Sequence, residues 1–310
     1  MILGIKVGPD RQSFLDLEQT NAPFAEVWFD VNRADEYMEL FAELKRRHMQ
    51  VGLHFWGIVS DQIMVSFGHP DQNVLDGSRK LVKQTIDIAA REGFAYVNIH
   101  PGSRAIVQMD LGHMDYPSIS EPVPVEQANK IFLEEMRALD HYAKTKGVVL
   151  TVETVCRKVP KTKWYEPSSR LNPIDLHQLP AASVAAAGSV GIAVANDFVH
   201  TESHAASENP TDIWTYLSDM TRQMAPQTRL VHLGFMVPPL NGCDTHDSLD
   251  NPLLETDQAV PNRRQMIELL KLFANRDDVW ILVEPNGRHP ENYFLAKKIL
   301  EDAGVLTPKN

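Results

Sequence analysis

At 310 residues and 43% apolar content the chain can bury a large core, and its length suits two modest domains or one (β/α)8 barrel. Lys and Arg number 30 against 41 Asp and Glu, and the net charge of −11 excludes nucleic-acid binding through overall basicity while leaving room for a local basic patch. No apolar run approaches a membrane span, the N-terminus lacks the order of a signal peptide, and Cys156 and Cys243 make no disulfide framework, so the expectation is a cytoplasmic protein with reduced thiols.

In chain order, short apolar runs alternate with amphipathic segments. Residues 2–7 read as a first strand and 25–29 as a second, with the connection between them the least regular. Tyr37, Leu40, Phe41 and Leu44 are spaced for a helix over 34–48. A strand at 51–55, a helix at 77–91, a strand at 95–100, a long helix at 124–146 and a strand at 148–153 follow. A helix over 175–187 closed by Gly188, a strand at 190–195, a helix at 210–220 and a strand at 230–233 continue the pattern. It ends with a helix at 262–274, a strand at 279–283 and a helix at 291–303. Eight strands alternating with helices predict a single-domain α/β fold, a closed parallel (β/α)8 TIM barrel.

In such barrels the chemistry sits at the C-terminal ends of the strands. Six consecutive strands end in or near a residue able to bind metal: His54, His100, Glu153, Asp197 with His200, His232 with Asp244 and His246, and Glu284. Asp244 and His246 are two apart, so in extended backbone their side chains share a face. Any one of these read alone is an ordinary structural histidine or a solvated carboxylate. As a set they predict a centre for divalent ions, with Zn2+, Mn2+ and Fe2+ all compatible with imidazole and carboxylate ligands.

Two long connections, 104–123 and 154–179, look like a lid over the barrel mouth. The second carries Arg157, Lys158, Lys161, Lys163 and Arg170 interleaved with Trp164 and Tyr165, a mix able to grip phosphate and stack a ring, or equally to form a solvated basic loop.

The pieces Gly52-Leu-His-Phe, Asn98-Ile-His-Pro-Gly-Ser, Leu150-Thr-Val-Glu, Asn196-Asp-Phe-Val-His, Val231-His-Leu, Asp244-Thr-His and Ile281-Leu-Val-Glu-Pro resemble the xylose isomerase-like TIM-barrel superfamily. Within it they are most similar to the endonuclease IV family of abasic-site endonucleases. That resemblance implies up to three metal ions, usually zinc. Glu153 would bridge two: one also held by His54 and His100, the other by Asp197, His232 and Glu284. His200, Asp244 and His246 would hold the third. The implied reaction is phosphodiester hydrolysis, of abasic DNA or a related substrate, with Glu284 orienting the attacking water. Where that family has a tyrosine-containing DNA-contact segment, this chain has Phe55-Trp56-Gly57. The alternative within the superfamily is a single-metal sugar isomerase, epimerase or lyase. It would need only Glu153, Asp197, His232 and Glu284, with the two glutamates moving a proton, His200 contacting a hydroxyl, and Trp56, Trp164 and Arg288 lining a small sugar pocket.

Overall fold

In the computed structural model, which describes residues 1–110, 115–160, 171–285 and 287–306, the apolar runs become strands of a closed barrel. In chain order they are β1 (Ile2–Val7), β2 (Phe24–Asp30), β3 (Gln50–Trp56), β4 (Tyr96–Ile99) and β5 (Val149–Glu153). A short antiparallel ribbon, β6 (Lys158–Val159) with β7 (Ile174–Asp175), interrupts the series before β8 (Ala193–Asp197), β9 (Thr228–Leu233) and β10 (Trp280–Val283). All barrel pairings are parallel, in the order β1-β10-β9-β8-β5-β4-β3-β2.

The outer ring holds α1 (Arg11–Thr20), α2 (Met38–Arg46), α3 (Gln72–Glu92), α4 (Val125–Thr145), α5 (Ala181–Ser189), α6 (Phe198–Glu202), α7 (Pro210–Met224), α8 (Arg263–Leu270) and α9 (His289–Asp302). No helix among the described residues is long and apolar enough to cross a membrane. The connection that lacked a pattern in the sequence is α1, a helix with few apolar residues whose N-terminus is fixed by Asp10 accepting from the Ser13 amide at 3.0 Å.

Three expected elements differ. The helix over 34–48 divides into a 3-10 segment, Val31–Tyr37, and α2, with Arg33 leaving helical backbone angles inside the first part. Residues 175–180 are not helical, because Pro180 fixes the start of α5 and 174–175 are drawn into the ribbon. α5 runs through Gly188, and the chain reverses instead at Gly191, where φ is +88°, which delays the strand to Ala193.

Inside the barrel, side chains at alternate positions stack in tiers. Phe24, Tyr96, Ala195, Leu230 and Leu282 form an apolar plug toward the N-terminal end. Gly4 and Gly52 make room for it: a Cβ on Gly4 would lie 1.9 Å from the Phe24 ring, and one on Gly52 would lie 2.0 Å from the Tyr96 ring.

Candidate metal centre

Two residues further along the same strands, strand periodicity turns the next side chains inward above the plug. Those residues are Lys6, Glu26, His54, Asn98, Glu153, Asp197 and His232, with Glu284 just past β10, and all but Glu284 are buried. Glu153 sits centrally, its oxygens 3.6 Å from His54 Nε2, 3.7 Å from His100 Nε2, 3.2 Å from His200 Nδ1 and 3.2 Å from His232 Nδ1. Asn98 donates to its Oε2 and is itself oriented by Thr151 Oγ1, which donates to Asn98 Oδ1 at 2.9 Å.

The donor atoms fall into three sets. His54 Nε2 and His100 Nε2 lie 3.1 Å apart, both facing Glu153. His232 Nδ1 lies 3.2 Å from Glu153 Oε1, 3.6 Å from Asp197 Oδ2 and 3.6 Å from Glu284 Oε1. His246 Nε2 lies 3.2 Å from His200 Nε2 and 2.9 Å from Asp244 Oδ1, with His200 Nε2 and Asp244 Oδ1 3.8 Å apart.

Two ligand atoms bound about 2.0–2.1 Å from one tetrahedral ion stand about 3.3 Å from each other, and these spacings fit that edge length. Two facing imidazole nitrogens at such a distance also fit a cation: each can turn a lone pair to the ion, whereas without one only a shared proton relieves their repulsion.

Local structure presents the third set. Asp197 ends β8 and caps α6, its Oδ1 accepting from the His200 amide at 2.8 Å, which leaves Oδ2 with no hydrogen-bond partner and aimed at the centre. His200 Nδ1 donates to the Thr154 carbonyl at 2.8 Å, which fixes the ring so that Nε2 faces Asp244 and His246. The Asp244 loop is pinned by the ribbon: the Asp244 amide donates to the Lys158 carbonyl at 3.0 Å, and the Lys158 amide donates to Gly242 at 3.1 Å.

Behind the donors stands a second layer that the sequence reading missed. Lys6 Nζ lies 2.5 Å from Glu26 Oε1 and in contact with Glu284 Oε1 and His54 Nδ1. Glu26 Oε1 is also 3.1 Å from His232 Nε2 and 3.2 Å from His54 Nδ1, while Tyr96 donates its hydroxyl to Glu26 Oε2 at 2.6 Å. The available signal was a single charge inside each of two otherwise apolar strands, Gly-Ile-Lys-Val and Phe-Ala-Glu-Val.

The electrostatics follow from burial and proximity. Burial pushes Glu153 up, but the cationic rings of His232, His54 and His100 overcome it and hold the carboxyl well below its usual range. Glu284 is driven the same way by His232 and Lys6 against its own burial. Burial opposes the charge on His232, yet Glu284, Glu153 and Glu26 raise it well above the ordinary imidazole value. His246 is pushed up to about 9, burial being outweighed by Asp244 and Asp197.

Above the donors lies a chamber of about 480 Å3. His54, His100, His200, Asp244, His246 and Glu284 form its floor, and its walls are largely apolar, from Trp28, Phe55, Trp56, Met64, Met109, Tyr116, Val155, Cys156, Val159 and Leu176, with Gln178 among them. A second cavity of about 380 Å3 adjoins it across Trp28 and Glu284, lined by Lys6, Asp10, Ser13 and His289 among others.

All nine residues expected to bind metal thus converge, and Trp56 lines the chamber. Arg288 lies at the surface paired with Asp250, and Arg157 is half-exposed, 4.0 Å from Asp175; neither lines the chamber. Lys158 donates to the Asn241 carbonyl at 3.0 Å. Lys161, Lys163 and Trp164, with Tyr165 and Arg170, lie outside the described residues.

The family model for the xylose isomerase-like TIM barrel matches residues 14–163. A probable endonuclease 4 from Haloarcula marismortui is 25% identical over 109 residues, 35% of this chain and 38% of that protein, so the match spans well under two thirds of that curated relative. Among solved structures, a D-tagatose 3-epimerase-like protein superposes with a TM-score of 0.64 at 12% identity, covering 98% of each chain. Endonuclease IV from Thermus thermophilus superposes with a TM-score of 0.55 at 15% identity, covering 97% of this chain and 100% of the other. At such identities both superpositions speak for the fold.

Proposed function

We propose that the chain, whose residues 14–163 match the family model for the xylose isomerase-like TIM barrel, is a metal-dependent enzyme with a multinuclear centre that hydrolyses phosphodiesters. The observation that carries this reading is the grouping of nine side chains into three donor sets with neighbouring atoms 2.9–3.8 Å apart, two of them sharing Glu153. Divalent ions bound there would supply a nucleophile from water near neutral pH and neutralise charge on the phosphoryl oxygens.

The chain's own residues do the rest. Glu153, held ionised by the surrounding rings and oriented by Asn98, serves two sets at once. Glu284 faces both cavities and is kept a carboxylate by His232 and Lys6. As a carboxylate its role is to orient the attacking water by accepting its hydrogen bond. The water oxygen forms the new bond to phosphorus, its proton passes to solvent, and the ester oxygen leaves with the electron pair.

A second reading has a specific observation behind it: Glu153, Asp197, His232 and Glu284 form one complete donor set by themselves. That suits a single-ion sugar epimerase or isomerase in which the two glutamates exchange a proton beside a carbonyl. It leaves His54, His100, Asp244 and His246 without a task.

Elemental analysis of protein purified without chelator or a metal-affinity tag, together with assay on bis(4-nitrophenyl) phosphate, tests the reading. Two or three ions per chain, hydrolysis abolished by Glu153→Gln, and one ion fewer in the Asp244→Ala/His246→Ala double variant are expected. One ion per chain, no hydrolysis, and exchange of a ketose carbon-bound proton with solvent would favour the epimerase instead.

A further inference from the structure

The chamber walls bear on the kind of molecule the centre acts on. Directly above the donors stand Trp56, Met64, Met109, Tyr116, Val159 and Leu176, and no lysine or arginine is among the described lining residues. Four of these, Met109, Tyr116, Val159 and Leu176, are buried and belong with Val107 and Cys156 to an apolar cluster distinct from the barrel core. Two long connections far apart in sequence therefore spend apolar side chains on walling a cavity at the reactive centre.

Three ligand chemistries can be compared with these walls. A nucleic-acid strand needs cationic partners for its phosphates, which supply most of its affinity. The described walls offer none, and the whole chain carries −11. A free sugar brings several hydroxyls, each costing about 1–3 kcal/mol if desolvated without a partner. Apart from the donor residues on the floor, the described walls offer such a ligand few polar groups: the Gln178 side chain, the Tyr116 hydroxyl and the indole N–H groups of Trp28 and Trp56. An aromatic ring needs neither: Trp28, Trp56 and Tyr116 offer ring faces and edges, and the Met64 and Met109 thioethers fit against a ring. A chamber of about 480 Å3 is the size of a small-ligand pocket.

We propose that the substrate is a small ester with a compact aromatic group, seated in the chamber between Trp56, Met109 and Tyr116 while its anionic head meets the donor residues of the floor. The inference rests on the reading that this floor binds metal and is the reactive centre, and it narrows the substrate class from phosphodiesters at large to aryl esters.

The test separates head from body. Calorimetric titration of the zinc-loaded protein with phenylphosphonate and with methylphosphonate keeps the head constant, and the phenyl compound is expected to bind at least about tenfold more tightly. Met109→Gln should shrink that ratio of the two affinities, read within the one variant, and Met64→Gln should shrink it if the first variant does not fold. In parallel, phenyl 4-nitrophenyl phosphate should be hydrolysed with a lower KM than methyl 4-nitrophenyl phosphate, and in preference to an abasic oligonucleotide.

Equal binding of the two phosphonates overturns the inference, as does a preference of about a hundredfold or more for the oligonucleotide. If neither ester is turned over while the phenylphosphonate preference holds, the hydrolase reading fails and the aromatic seat stands. If both esters are turned over with equal KM and the phosphonates bind equally, the hydrolase reading stands and the seat fails.

Discussion

Phe24, Tyr96, Leu230 and Leu282 fill the lower barrel, and Lys6, Glu26, Asn98, His232 and Glu284, two residues along from inward-facing plug positions, fill the upper. The backbone is the same in both tiers, parallel strands with alternate side chains turned in. The lower tier buries apolar surface and stabilises without conditions. The upper buries charge, which is tolerable only where each charge meets another or a metal ion. The plug supports the fold and the charged tier draws on that support, so perturbing each should have different signatures.

The largest effect is expected at the fixed cation of the upper tier. Lys6→Met removes the ammonium from Glu26 and Glu284 and leaves the buried Glu26 and the partly buried Glu284 facing histidines and, at Glu26, the Tyr96 hydroxyl. Removing one partner of such a pair costs about 3–5 kcal/mol, and denaturant unfolding in the presence of chelator should show that loss. An unchanged midpoint would mean that the ammonium does not neutralise the tier.

A second test uses pH, because the plug contains no group that titrates under mild acid and the surroundings of the upper tier do. His204, at the rim, donates Nε2–H to the Val155 carbonyl at 2.8 Å, and burial pushes it down to about 4. A histidine whose folded value lies below its unfolded value favours the folded state fully above the unfolded value of about 6.5. That contribution is lost as pH falls from there through about 4. The unfolding free energy of the wild type should drop over this window by on the order of 3 kcal/mol more than that of His204→Gln. Parallel curves for the two proteins would remove His204 from the account.

The same contrast explains what was legible in the sequence. Strands and their order were readable because an apolar run is needed wherever both faces of a strand are covered. His54, His100, Glu153, His232 and Glu284 were readable because each follows or ends such a run at the reactive rim. Lys6 and Glu26 were not, since one charge inside a strand reads equally well as an outward-facing residue, and only barrel closure turns it inward. α1 escaped because most of its residues are polar, and the start of α5 was misplaced because Pro180, which disfavours helix in the residue before it, was read as lying inside the helix. The apolar chamber was the least legible feature. Met109, Tyr116, Val159 and Leu176 meet only through the packing of two loops, and no spacing in the chain encodes that contact.

The smallest and most discriminating test is a pair of glycine substitutions. A methyl group on Gly4 meets the Phe24 ring, and one on Gly52 meets the Tyr96 ring, so both overfill the plug and each should cost about 1–3 kcal/mol. They differ above it. Phe24 ends in the plug, whereas the Tyr96 hydroxyl holds Glu26, and Glu26 in turn faces His54 and His232. Gly52→Ala should therefore also weaken metal binding by about tenfold, the scale of outer-layer changes around a metal, while Gly4→Ala leaves it unchanged. Competitive zinc titration of the two variants reads this directly. Equal zinc affinity in both would show the tiers to be independent, and a loss confined to Gly52→Ala would place their coupling at the Tyr96–Glu26 hydrogen bond.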